Sequence, residues 1–175
     1  VTPLFGIYQR VDFQDTKTVG VSTAYHFSEM WGAELMGYKM LASDSHVLSR
    51  FKDATGSTID FNQERYYLGA SALFTPIYGK FSLFGNKISH FDIYLAPGAG
   101  ITKTNAAHFT PSMGVGQKFW ITPRWNFRVE YRWMRYDDTI NASTGTAAIK
   151  NGGTGSFSDT ITNQNLMFGI SYLFN

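Results

Sequence analysis

Cysteine is absent from the 175 residues. Its absence excludes disulfides, thiolate zinc sites and cysteine nucleophiles. Charge is scarce: Asp, Glu, Lys and Arg make up 16%, against roughly 25% in soluble domains. It is also balanced, with 15 basic and 13 acidic residues and a net charge of +2, so nothing favours a nucleic-acid partner. No run of about 18 apolar residues occurs, so no transmembrane helix is expected. The longest uncharged stretch, residues 160–175, is full of Asn, Thr and Ser. No signal peptide is visible at Val1, and the chain reads as a mature or trimmed form.

Aromatic residues and glycine are abundant: 15 Phe, 10 Tyr, 4 Trp and 17 Gly. That aromatic content argues against disorder, and the length suits one domain, residues 1–175. Helical spacing is almost missing, whereas period-2 alternation runs through most of the chain. From Leu166, every second residue is apolar (Phe168, Ile170, Tyr172, Phe174), and the alternate positions are mostly small or polar. Seven earlier segments behave alike: about 2–13, 18–27, 32–41, 65–74, 90–102, 108–121 and 125–136. The connections at 28–31 and 122–124 are short, and those at 42–62 and 137–161 are long. The latter is rich in Gly, Ser, Thr and Asn and reads as a mobile loop. Short turns at one end and longer loops at the other are the pattern of an outer-membrane barrel, with both termini on the short-turn, periplasmic side.

Alternation alone does not say which face is outside, since a soluble ligand-binding barrel reverses the faces. Three features favour the membrane arrangement. The polar face of the seventh strand carries Arg128, Glu130 and Arg132, which a greasy cup would not. Trp31, Trp120 and Trp125 gather at the two short turns, as an interfacial aromatic girdle would. The third is the end of the chain. Gly169-Ile170-Ser171-Tyr172-Leu173-Phe174 resembles the Gly-x-x-aromatic-x-aromatic signal that closes outer-membrane barrels, with Asn175 as one extra residue. The resemblance implies that Gly169, Tyr172 and Phe174 are read by the barrel-assembly machinery. The whole chain resembles the small eight-stranded outer-membrane barrels of the OmpA/OmpX-like superfamily. Residues 24–29 and 94–100 are similar to proteins known only by an outer membrane beta-barrel domain. That resemblance implies an all-β, antiparallel, up-and-down transmembrane barrel in the bacterial outer membrane, in contact with its lipids, and no chemistry.

Glu34, Asp92, Lys118, Arg128, Glu130 and Arg132 all point inward in this register. They form either a salt-bridged plug or a selectivity ring, and the narrow interior of eight strands favours the plug. Between the fourth and fifth strands, residues 75–89 open with Thr75-Pro76, a helix-start pattern. Ile77, Phe81, Phe84 and Ile88 then follow at helical spacing, with Lys80 and Lys87 able to reach lipid headgroups. This predicts a short interfacial helix, with an irregular turn as the alternative; Gly79 and Gly85 each weaken the helix by about 1 kcal/mol. The outer face of the third to fifth strands is small, with Ala33, Gly37, Ala70, Ala72, Pro97 and Ala99, and Lys39 near its loop end. Such a wall permits close approach of a second copy, though ordinary lipid-facing variation produces it too. Pro97 and Pro111 must fall at bulges or where pairing is lost.

Ser45-His46 and Ser89-His90 are the only hints of a lipid-modifying hydrolase, and neither supplies a base, an orienting acid and a nucleophile together. Gly98-x-Gly100 and Gly114-x-Gly116 lack the helix of a phosphate loop and make room for large side chains opposite. No metal-ligand cluster or cofactor motif is apparent. The reading is a non-enzymatic barrel with a structural or interaction role, self-associating laterally and organising lipid. A small passive pore is the alternative, and a lipid-modifying enzyme the third class.

Overall fold

In the computed structural model, residues 1–10, 15–42, 64–83, 87–104, 106–141 and 156–174 are described. They form eight strands: β1 (Thr2–Arg10), β2 (Asp15–His26), β3 (Trp31–Ala42), β4 (Tyr66–Leu83), β5 (Lys87–Lys103), β6 (Ala107–Trp120), β7 (Trp125–Asn141) and β8 (Ser156–Tyr172). Each pairs antiparallel with the next, and β8 pairs back onto β1, so the sheet closes into an up-and-down barrel. Closure satisfies every edge that the ladders reach.

The alternation sorts the side chains as expected. Phe5, Leu35, Leu68, Ile101, Phe109 and Ile170 face outward, and Tyr8, Glu34, Tyr94, Arg128 and Asn165 are buried inside. Both short turns use one device. Ser28 Oγ accepts from Trp31 N at 3.0 Å, and Thr122 Oγ1 accepts from Trp125 N at 3.0 Å. A hydroxyl three residues ahead thus fixes the tryptophan that starts β3 and β7. The termini meet at this turn rim, where the Val1 ammonium donates to Tyr172 O at 2.9 Å.

Two hairpins are longer than the alternation indicates. Residues 137–161 are not one loop: β7 continues to Asn141 and β8 begins at Ser156, with Asp137 opposite Thr160. Of the segment 75–89 expected to form an interfacial helix, the described residues, 75–83 and 87–89, are strand. β4 runs on to Leu83 and pairs with β5 from Ile77–Ile93 to Leu83–Lys87, after a register shift between Phe74 and Ile77. Ile, Tyr and Phe favour the extended state, β5 is already held by β6, and two glycines penalise the helix. Phe84 lies outside the described residues.

Each of these prolines lacks a ladder partner on one side only, and pairs on the other, Pro97 with Met113 and Pro111 with Ala99. No ladder pair joins Ala72 to Pro97 or Leu73 to Ala96, although the register on either side is unbroken. The β6–β7 ladder begins only at Ser112–Met134, so Pro111 has no partner on that side to lose.

Candidate functional site: the lumen

The interior is built in layers. At the turn rim, Trp120 Nε1 donates to Asp92 Oδ2 at 2.7 Å. Trp120 therefore faces the lumen as a cap rather than joining an outer girdle, whereas Trp31 and Trp125 are each 47% exposed on the outside. The reason is parity: Trp120 lies two residues from the inward Lys118. Beside it, Lys118 Nζ sits 3.1 Å from His26 Nε2 and 5.0 Å from the Tyr94 ring centre.

The middle layer is an ion quartet. Arg128, Glu130 and Arg132 share one face of β7 because they are spaced by two. Glu34 comes from β3, on the far side of an eight-strand ring. Arg128 donates both terminal nitrogens to Glu34, one at 2.9 Å, and also bonds Glu130. Arg132 Nε donates to Glu130 Oε1 at 2.7 Å, and its Nη1 donates to Ser71 Oγ at 2.9 Å and Ser112 Oγ at 3.1 Å. Its Nη2 lies 3.8 Å from Glu34. Tyr94 donates to Glu130 Oε2 at 2.6 Å. All four ions are at most 2% exposed. Two cations and two anions cancel, which is the condition under which a buried cluster is tolerated. The six inward charges do not form one network: the quartet is joined directly, and Asp92 and Lys118 bond Trp120 and His26.

Inward glycines make this packing fit. A Cβ on Gly116 would lie 2.2 Å from the Tyr94 hydroxyl, and one on Gly114 would lie 3.0 Å from Glu130.

Above the quartet lies an apolar layer of Leu4, Met36, Met40, Met134, Met167 and three tyrosines. Tyr38 of β3 donates to the Met134 sulfur of β7 at 2.9 Å. Higher still, the buried Glu64 accepts from Tyr8, Tyr136 and Asn163 Nδ2, the last at 2.7 Å. Sequence reasoning missed Glu64 because it precedes β4 and does not follow that strand's inward parity. Tyr8, Tyr94 and Tyr136 do follow the alternation of their strands.

Side chains from diametrically opposite strands therefore touch at three heights: His26–Lys118, Glu34–Arg128 and Tyr38–Met134. Crossings at three heights are the arrangement a plugged lumen requires. Of the described histidines, His26 meets Lys118, His90 stacks on Tyr78, and His108 sits by Thr104 and Tyr136. Ser89 and His90 are consecutive in β5 and so point to opposite faces, and Ser45 and His46 lie outside the described residues. Among the described residues, no three His, Asp or Glu gather as metal ligands.

On the outside, the small residues are brought together: Ala33 faces Ala72 across β3–β4, and Ala70 faces Ala99 across β4–β5. Gly37 lies opposite Leu68, and Pro97 is on the same wall. Ile77 and Phe81 share the outer face of the β4–β5 hairpin, but Ile88 lies on its opposite face, an odd number of residues away in the paired register. At the C-terminus Tyr172 faces outward against Trp125 and Phe174, both at 4.9 Å between ring centres. A Cβ on Gly169 would lie 2.7 Å from Thr2 Cγ2 and 2.9 Å from Pro3 O of β1.

No family model and no curated protein matches the chain. Among solved structures it is similar to Neisserial surface protein A (NspA), at 11% identity and a TM-score of 0.44 over 99% of this chain and 94% of that one. It is also similar to the S-type phycobiliprotein lyase CPES from Guillardia theta, at 8% identity and a TM-score of 0.23 over 99% and 88%. Neither likeness carries a family or an activity to this chain.

Proposed function

We propose that this protein is an integral barrel of the bacterial outer membrane, non-enzymatic, with a filled lumen and a structural or interaction role at its outer surface. The inversion of the fold supports this reading. Arg132 is 0% exposed inside while Phe109 is 72%, Leu35 65% and Leu68 62% exposed outside. An exterior of this kind calls for lipid contact rather than water. The assembly machinery that reads the Gly169–Phe174 signal and the membrane lipids are its expected partners. The small-residue wall and the outer face of the hairpin are the surfaces for self-association, with lipid ordered between copies.

Fractionation tests this, followed by native mass in mild detergent and an unboiled gel. The expected result is an outer-membrane, heat-modifiable protein in a discrete assembly with co-purified lipid. Recovery in a soluble fraction would overturn the membrane reading, and a lipid-free monomer would overturn self-association.

A further inference from the structure

Cations gather in one sector of the outer face, toward the loop end. Lys39 of β3 lies opposite Tyr66 of β4, and Tyr66 lies opposite Lys103 of β5. Strands about 4.8 Å apart set the two lysine Cα atoms about 10 Å from each other, with the tyrosine between them. The alternation turns all three outward, in step with the exposed Leu35, Leu68 and Ile101 of the same strands. Arg65 is exposed one residue before Tyr66. Its backbone extends the row: its N donates to Lys103 O at 2.8 Å, and its O accepts from Met40 N at 3.0 Å. Lys17 of β2 is exposed nearby, opposite Leu41. The sector carries one sign. Among the described side chains of β2 to β5, the two carboxylates, Glu34 and Asp92, face the lumen. The ion pairs among the described residues all lie in the lumen quartet. Arg135 of β7, by contrast, shares its outer face with Asp137.

The depth of the row matters as much as its charge. Lys39 stands eight residues beyond Trp31, the girdle residue that opens β3. At about 3.3 Å per residue and a tilt of about 40°, that is about 20 Å along the barrel axis, close to the far edge of an apolar band about 25 Å tall. Lysines at that depth reach headgroups while their stems lie beside acyl chains. We propose that Lys39, Arg65 and Lys103, with Tyr66 among them, hold the phosphomonoester headgroup of a lipid in the leaflet at the loop end. The proposal rests on the membrane reading above and names the class of lipid. A monoester phosphate carries about −1.5 to −2 charges and three acceptor oxygens, which three clustered cations match. The guanidinium offers a paired donor fork, and the lysines are mobile point charges. A singly charged diester headgroup leaves more of the cluster uncompensated. Beneath the row lie Gly37, Leu68 and Ile101, then the small residues of the wall, which give the acyl chains a shallow bed. Two copies meeting through this wall would bring like charges together, and a phosphate held by each removes that repulsion.

Native mass spectrometry of the whole protein in mild detergent tests this, with added phosphatidic acid, phosphatidylglycerol or phosphatidylcholine at about pH 8, where the monoester is dianionic. The parent should retain phosphatidic acid in preference to phosphatidylglycerol, and phosphatidylcholine least. Each cation near a membrane surface is worth about 1 kcal/mol toward an anionic lipid, so Lys39→Gln/Arg65→Gln/Lys103→Gln should weaken phosphatidic acid binding at least about tenfold. Arg135→Gln, on the far side of the barrel, should leave it within about twofold of the parent. Heat modifiability of every variant confirms that the barrel is intact. Equal binding by the parent and the triple variant would overturn the site. So would a loss in Arg135→Gln as large as in the triple variant, since the attraction would then be spread over the whole barrel. Equal affinity of the parent for phosphatidic acid and phosphatidylglycerol would overturn the monoester assignment. These failures, in a protein that fractionates with the outer membrane, leave the membrane reading standing; recovery of the parent in a soluble fraction would overturn both.

Discussion

Replacing Glu130 by Ala is the sharpest perturbation of the lumen. Glu130 accepts from Arg128, from Arg132 Nε at 2.7 Å and from Tyr94 at 2.6 Å. Its loss leaves two buried guanidiniums facing Glu34 alone, a net charge of +1, and strands the Tyr94 hydroxyl. Removing one partner of a buried ion pair costs about 3–5 kcal/mol, because the other charge stays buried and uncompensated. Losses that share one network are not additive, so the tyrosine does not add a full second penalty. The double variant Glu130→Ala/Arg132→Met removes one charge of each sign and leaves the Arg128–Glu34 pair intact. It should lie within about 2 kcal/mol of the parent, since a neutral replacement of a buried pair is often tolerated. Urea unfolding in lipid vesicles, read by tryptophan fluorescence and by the heat-modifiable gel shift, measures both. Two results would refute the reasoning: a single variant within about 1 kcal/mol of the parent, or a double variant as costly as both single changes combined. Either would mean that the lumen is hydrated and its charges are solvated separately.

Three further outcomes follow from the same layers. Gly116→Ala places a methyl where the Tyr94 hydroxyl lies, and should destabilise by about 1–3 kcal/mol through overpacking, measured by the same urea midpoint. Trp120→Phe removes the donor to buried Asp92 and should cost about 1.5–3 kcal/mol, whereas Trp125→Phe on the outer face should cost clearly less; equal losses would contradict the inward placement of Trp120. Tyr136→Phe withdraws one hydroxyl from Glu64 and should lower stability by about 1.5–3 kcal/mol, detectable as an earlier thermal transition in the unboiled gel series.

The alternation in the sequence carried the strand count, the closed up-and-down order and the inward set of charges, because a period of two leaves each side chain one choice of face. Its failures have separate causes. Ile77, Phe81 and Ile88 satisfy helical spacing in sequence, yet the pairing partner that decides the matter, β5, lies on the other side of the turn. A local pattern cannot report that competition. The parity change after Phe74 also separates Ile88 from Ile77 and Phe81. The turn position of Trp120 points to the outer girdle, whereas its two-residue spacing from Lys118 places it inside. Glu64 had no signal at all, since it stands outside the alternation of β4 and gains its partners from β1, β7 and β8.

The filled lumen is the core of this account, and planar-bilayer recording from the purified protein tests it most directly. Three crossings of the barrel interior predict no conductance above the bare bilayer, for the parent and for Glu130→Ala/Arg132→Met alike. Discrete channel openings in the parent, altered by Glu130→Ala or Arg128→Ala, would contradict it and make the inward charges a selectivity ring.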